Sequence, residues 1–313
     1  MQTPQASRRA EDAAGYSYLI IAGTTKGATT SLFQYLGDHP RVCLANIKET
    51  RFFLEKGSPL PAKFHCEDGL DRYGEFFPHC GGDHQRLRVD ATPDYLYSPQ
   101  AAQNIFALLP HSKIIFALRE PISRVLSWYR FAKQNNSLAE SVTLDEYVRK
   151  QFNAEFPEQH MRAVAQGRYA QYLKPYYDRF GADRIFVTFL EELQEDPQNV
   201  MERLCLFAEI DPAPYARYAF HVFNRTENVR SPQIHQAYRG TRRALINAFH
   251  DNTTIRVFLR KVRKFIEPFY MSLNRKSAAE HALFAPEVLA ALKEYYRAPN
   301  DDLAKLLGRH LPW

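Results

Sequence analysis

The chain has no apolar stretch approaching the roughly 20 residues that a membrane-spanning helix requires. Its longest apolar runs, around residues 16–22 and 114–118, are strand-length. The first 14 residues carry Arg8, Arg9, Glu11 and Asp12 and lack the apolar centre of a secretion signal. Cysteine is scarce: Cys43, Cys66, Cys80 and Cys205 are too few and too scattered over 313 residues for a disulfide scaffold. These absences predict a soluble protein of a reducing compartment, with buried thiols. Internal repeats and low-complexity tracts are also missing, and nothing reads as a linker. No histidine among the 11 has partners that suggest a Ser/His/Asp triad. His65-Cys66 and His79-Cys80 form a symmetric pair, but they lack the close ligand spacing of a zinc site, so no metal is expected.

Core-forming material is ample. The chain is 45% hydrophobic and 24% charged, with 22 Phe and 18 Tyr, which excludes disordered, collagen-like and coiled-coil classes. The formal net charge is +6, and its placement is uneven. Residues 225–276 hold 12 Lys/Arg against 3 Asp/Glu, so the remainder of the chain is net negative. Such a field attracts anions. Within it, residues 256–276 interleave Val, Phe and Ile with Arg and Lys, as in an amphipathic helix. That helix would either present its basic face to water or meet an anionic membrane or an acidic acceptor. Nucleic acid is not the expected partner.

Periodicity supplies the architecture. Residues 18–23, 86–90, 113–118 and 184–189 are short apolar runs that read as strands. Helical spacing follows them over residues 26–37, 98–109, 120–131, 167–180 and 197–208, and 286–296 and 301–307 read as two closing helices. Strands alternating with helices predict an α/β fold. A P-loop-like parallel β-sheet would be flanked by helices on both faces, with a helical basic C-terminal region. Residues 1–15 are expected to be a flexible tail. Residues 16–313 would form a single domain, with a basic insert at about 238–283 that carries no matching motif.

Between the first strand and the first helix the chain reads Gly23-Thr-Thr-Lys26-Gly27-Ala28-Thr29-Thr30-Ser31-Leu32. There, backbone N–H groups and a helix N-terminus converge on an anion. Gly23 and Gly27 permit a tight turn, Lys26 offers a point charge, and Thr29 and Thr30 offer hydroxyls. A Walker A loop ends in Gly-Lys-Ser/Thr, and this one does not. The plain alternative is an ordinary strand–turn–helix.

This loop resembles the 5′-phosphosulfate loop of sulfotransferases that use 3′-phosphoadenosine 5′-phosphosulfate (PAPS), Gly-x-x-Lys-x-Gly-Thr-Thr/Ser-x-Leu, with Ala28 in place of the usual Gly. A second signature of that family, a strand followed by Arg-x-Pro-x-x-Arg-x-x-Ser, is matched by Arg119-Glu-Pro-Ile-Ser-Arg124-Val-Leu-Ser127. The resemblance implies that Thr25, Lys26, Gly27, Ala28, Thr29, Thr30 and Ser31 hold the 5′-phosphosulfate, and Arg119 and Ser127 the 3′-phosphate. The chemistry agrees, since a guanidinium at a strand's C-terminal end can grip phosphate with two parallel hydrogen bonds. Arg124 has a weaker claim to the phosphate, the alternative being that it pairs with a carboxylate.

Lys48-Glu49-Thr-Arg-Phe52-Phe53 resembles the Lys-Glu-x-x-Phe-Phe segment of the heparan sulfate/glycosaminoglycan-type branch. The resemblance makes Glu49 the general base, with Lys26 and Lys48 stabilising charge on the sulfuryl group. Phe52 and Phe53 are expected in the core. Asp90-Ala91-Thr-Pro-Asp94-Tyr resembles the family's Glu-Lys-Ser/Thr-Pro-x-Tyr segment, with Ala91 where some heparan enzymes have a catalytic Lys. Asp90 and Asp94 are candidates for orienting a lysine or acceptor hydroxyls, or for capping the turn before Ser98. Phe223-Asn-Arg225-Thr lies where family members carry a nucleotide-covering loop, which implies Arg225, and with it Arg230, as further nucleotide contacts.

The expected function is transfer of a sulfuryl group from PAPS to a hydroxyl or amine, leaving 3′,5′-ADP, without a required metal. A carbohydrate or glycoconjugate acceptor is favoured, with a lipid or secondary-metabolite alcohol as the alternative. Rival classes are a P-loop kinase or NTPase and a non-catalytic binder of nucleotides or acidic glycans. The missing anchor points to a bacterial-type cytoplasmic enzyme rather than a Golgi one.

Overall fold

In a computed structural model of the chain, residues 15–80, 86–153, 162–221 and 284–313 are described. The expected tail, the basic stretch, Arg225 and Arg230 lie outside those residues, apart from residue 15. Five strands form one parallel sheet: β1 (Ser17–Gly23), β2 (Val42–Leu44), β3 (Leu87–Ala91), β4 (Lys113–Leu118) and β5 (Ile185–Phe189), in the order β2-β3-β1-β4-β5. Strand β1 is central. Ser17 pairs with Leu87 and Ile21 with Ala91 on one side, and Leu19 pairs with Lys113 on the other. A strand covered on both faces reads as a continuous apolar run rather than an alternation, and residues 18–22 are all buried.

The two faces of the sheet feed separate cores, because successive side chains point to opposite sides. Ile20, Ala22, Ile114, Phe116 and Leu118 pack with α3 (Pro99–Leu108), α6 (Tyr169–Phe180) and an aromatic group that includes Phe52, Phe53 and Tyr73. Leu19, Ile21, Val89, Ile115 and Ala117 pack with α1 (Thr29–Gly37) and α8 (Pro197–Ala208). A third core joins α4 (Pro121–Gln134), α5 (Leu144–Phe152) and α9 (Pro286–Leu307) through Val125, Trp128, Tyr147, Leu292 and Tyr296. Two short helices, α2 (Leu70–Gly74) and α7 (Leu190–Glu195), complete the α-helices among the described residues.

Several expectations are corrected. The two closing helices are one, with Pro299 inside it. The buried residues continue across the proline: Val288, Leu292 and Tyr296 pack in the third core, and Leu303 beyond the proline packs in the core that contains α3 and α6. The first helix starts at Thr29 rather than Lys26, because Lys26 (φ 68°) and Ala28 (φ 73°) are left-handed and belong to the turn. Cys43 and Cys80 are not thiols. They form a disulfide across 37 residues, with their Cα atoms 5.7 Å apart. This bond contradicts the expectation of four reduced cysteines, and it suits an oxidising environment. Cys66 and Cys205 are free and buried. No helix among the described residues is long and apolar enough to cross a membrane.

Candidate active site

The anion loop leaves the C-terminal end of the central strand, where open α/β sheets place their ligands. The Thr24 amide donates to the Ala117 carbonyl on β4 (2.9 Å), and the Gly27 amide donates back to the Thr24 carbonyl (3.1 Å). The turn presses against β4 so closely that a Cβ at residue 27 would lie 2.0 Å from the Ala117 oxygen, so only glycine fits. Ala28, in the left-handed region, ends the turn as the N-cap of α1 and supplies no side-chain cap. The first amides of α1 are thereby aimed out of the turn with the positive end of the helix dipole behind them. The Lys26 ammonium sits 4.5 Å from the centre of the Phe131 ring on α4, which brings the loop and that helix together.

Arg119 follows β4 directly. Its peptide is held on both sides: the Tyr169 hydroxyl donates to the Arg119 carbonyl (2.8 Å), and the Glu120 amide donates to Glu191 Oε1 (3.1 Å). Glu120 caps α4 by accepting from the amides of Ile122 and Ser123, and Pro121 occupies a first-turn position where no amide is needed. Among the described residues the Arg119 guanidinium makes no hydrogen bond. Burial depresses its pKa, the Arg130 cation depresses it further, and Glu191, Tyr169 and Glu120 oppose both. Ser127 is buried two turns along α4.

Arg130, one turn beyond Ser127, was not singled out from the sequence. Its signal is the i, i+3 spacing from Ser127, which shares a helix face. Arg124 does not meet a carboxylate among the described residues. It is fully buried, and its Nη1 donates to Thr25 Oγ1 (3.3 Å) and Gln166 Oε1 (3.4 Å).

The Lys48–Arg51 segment crosses the end of β3. The Glu49 amide donates to the Ala91 carbonyl (2.9 Å), and the Arg51 amide donates to Thr92 Oγ1 (3.2 Å). Glu49 (φ 68°) and Arg51 (φ 57°) are left-handed without being glycine, a sparsely populated conformation that surrounding contacts must enforce. The Glu49 carboxylate lies between two cations, with Lys48 Nζ at 3.0 Å and Arg51 Nη2 at 3.2 Å. Burial opposes its charge, but Lys48 and Arg51 outweigh that and hold its pKa below the ordinary carboxylate range. Phe52 and Phe53 are fully buried in the core, as anticipated.

The two aspartates separate. Asp90 is fully buried and accepts hydrogen bonds from Thr50 (2.7 Å), Tyr95 (3.1 Å), Thr92 (3.2 Å) and Tyr73 (3.4 Å). Its carboxylate faces inward and ties the base segment to β3, while Ser98 itself caps α3 by accepting from the Ala101 amide. Asp94 lies in the electrostatic field of Glu49, Arg51 and Lys48. Burial, reinforced by the Glu49 carboxylate, pushes its pKa up to about 6.

The arrangement is therefore a tight lysine-bearing loop after β1 and an ion-paired carboxylate after the adjacent strand β3. Among the described residues the Arg119 guanidinium makes no hydrogen bond, and Lys26, Thr29 and Ser127 carry further donor groups on the loop, α1 and α4. A family model described as the sulfotransferase domain matches residues 17–222. The chain is 28% identical over 200 residues to the bifunctional heparan sulfate N-deacetylase/N-sulfotransferase 1 of Xenopus laevis, covering 62% of this chain and 22% of that protein. It is 33% identical over 116 residues to the membrane-associated sulfotransferase kil1 of Dictyostelium discoideum, covering 37% and 23%. The chain thus spans about a fifth of the length of the curated relatives it matches. Its fold is similar to a sulfotransferase from Alicyclobacillus acidocaldarius, with a TM-score of 0.64 and 20% identity over 95% of this chain and 98% of that one.

Proposed function

The chain belongs to the sulfotransferase domain family, and from that premise we propose that it transfers a sulfuryl group from PAPS to a hydroxyl or amine of a carbohydrate or glycoconjugate. The observation that carries this reading is the placement of Glu49 at the end of β3, beside the anion loop at the end of β1. The relatives named as heparan sulfate N-sulfotransferases support the acceptor class.

Bound PAPS supplies an activated sulfuryl group whose departure leaves 3′,5′-ADP. Lys26 and the amides of residues 28–31, with the Thr25, Thr29, Thr30 and Ser31 hydroxyls, hold the 5′-side anion and neutralise charge as it develops. Arg119 and Ser127 grip the 3′-phosphate, joined by Arg130 from the same helix face and, in our reading, by Arg225 and Arg230. Glu49 Oε takes the proton from the acceptor O–H or N–H as its bond to sulfur forms and the bond from sulfur to the bridging oxygen breaks. Lys48 and Arg51 hold that carboxylate ionised and aimed. Asp94 is placed to orient an acceptor hydroxyl, and Asp90 positions the base segment. No step in this scheme uses a metal ion.

The test is release of 3′,5′-ADP from PAPS in the presence of desulfated glycosaminoglycan oligosaccharides, followed by mass analysis of the glycan. A mass gain of one sulfuryl group per 3′,5′-ADP released is the expected result. Nucleotide release without glycan modification, while a lipid or small phenolic alcohol is sulfated, would reassign the acceptor.

A further inference from the structure

One cation at the anion loop has no part in the chemistry above. Arg124 heads the fully buried side chains by size among the described residues. Its Nη1 donates to Thr25 in the loop and to Gln166, its Nη2 donates to the Ala163 carbonyl, and its Nε has no hydrogen-bond partner among the described residues. The guanidinium lies 5.9 Å from the centre of the Tyr97 ring, whose hydroxyl meets Thr24 in the same loop. Every acceptor in this set is neutral. The titratable groups with the strongest influence on it are Tyr97, Tyr147, Tyr169 and Tyr296. Burial raises the pKa of each of the four, so their hydroxyls stay protonated and supply no counter-charge.

A buried charge normally carries a partner of opposite sign, because desolvation is costly and neutral hydrogen bonds offset only part of it. Arg124 has none among the described residues, yet its hydrogen bond to Thr25 puts it in contact with a loop built to receive an anion. We infer that Arg124 is a positioning residue whose uncompensated charge is balanced by the anion held in the phosphate loop, so that the nucleotide is its counter-ion. The inference rests on the nucleotide-binding reading given above. It has a thermodynamic consequence that a purely structural arginine lacks. The charge of Arg124 works against the nucleotide-free fold and in favour of the bound one, so removing it affects the two states oppositely.

The experiment compares wild type with Arg124→Gln, which loses the charge, and Arg124→Lys, which keeps it. Melting temperature without ligand and calorimetric affinity are measured with two probes, 3′,5′-ADP and inorganic pyrophosphate. Expected are a nucleotide-free Arg124→Gln protein that melts within about 3 °C of wild type or above it, and affinity for both probes lowered roughly tenfold to a hundredfold. Arg124→Lys should stay within about fivefold of wild type. An Arg124→Gln protein that melts far below wild type or fails to fold would overturn the inference. So would unchanged pyrophosphate affinity, or equal losses in the Lys and Gln variants. Failure of wild type to bind 3′,5′-ADP, with Arg124-dependent pyrophosphate binding retained, would sink the nucleotide reading and leave the counter-ion inference standing. Wild type that binds neither probe removes both.

Discussion

The two halves of the site handle charge in opposite ways. On the nucleotide side, Arg119 and Arg124 face no carboxylate within pairing distance among the described residues. On the acceptor side, Lys48 and Arg51 are already neutralised by Glu49 at 3.0 and 3.2 Å. In the reading proposed here the nucleotide supplies the missing counter-charge of the first half. The second is complete by itself and has to be opened by the acceptor before its base can work. In the reaction we propose, the difference separates affinity from chemistry: the cations without a paired carboxylate would recruit the nucleotide, and the paired carboxylate would take the acceptor proton.

Changes confined to one half should therefore leave the other intact. The largest effect is expected from Glu49→Gln, which removes the base while keeping its shape. A fall in kcat/KM of about 10²- to 10⁴-fold is expected, with 3′,5′-ADP affinity within twofold of wild type by calorimetry. A parallel loss of nucleotide affinity would break the separation. Next comes the Cys43–Cys80 bond, which closes a loop of 37 residues around the base segment. The chain-entropy relation gives about 4 kcal/mol for a loop of that length. Reduced protein, or the Cys43→Ser/Cys80→Ser pair, should lose stability of that order in denaturant titrations.

Arg119→Ala is expected to weaken 3′,5′-ADP binding by about 10- to 100-fold, the scale of charge-assisted hydrogen bonds. Binding of 5′-AMP, which lacks the 3′-phosphate, should be unchanged. Equal losses for both nucleotides would assign Arg119 to the wrong phosphate. The smallest effect belongs to Asp94. Its folded pKa of about 6 lies above the ordinary aspartate value, so the fold favours the protonated form. The associated stability is present below pH 4 and is lost as pH rises through 6. Asp94→Asn should accordingly raise the melting temperature at pH 8 and leave it nearly unchanged at pH 4. The same shift at both values would mean that Asp94 is not held protonated by its surroundings.

Legibility in the sequence followed the range of the interactions. β1 and β4 were readable because a strand buried on both faces is a continuous apolar run. β2, three residues long, offers no such run. The signature Arg119…Ser127 was visible because its residues are close in sequence, from the end of β4 into the first two turns of α4, and Arg130 lies one turn beyond Ser127. The start of α1 was misplaced because periodicity registers side chains, while the left-handed backbone at Lys26 and Ala28 is set by contact with β4. The inward role of Asp90 depends on Thr50, Tyr73 and Tyr95, three segments that only the folded core brings together. The pairing of Cys43 with Cys80 is likewise tertiary, and counting cysteines pointed the wrong way.

The central position of β1 in the sheet has a consequence for how the protein is made. β1 ends at Gly23, and neither of its neighbours exists until β3 and β4 have been synthesised, the latter ending at Leu118. At translation rates of about 5–20 residues per second, that interval is on the order of 5–20 s. Until β3 is complete at Ala91 the nascent chain displays an Ile- and Leu-rich strand with both edges open, and until β4 is complete one edge stays open, the kind of segment that pairs wrongly with other chains. Yield on expression should therefore depend on what shields residues 18–22 at the ribosome, a dependence that has nothing to do with the stability of the finished fold.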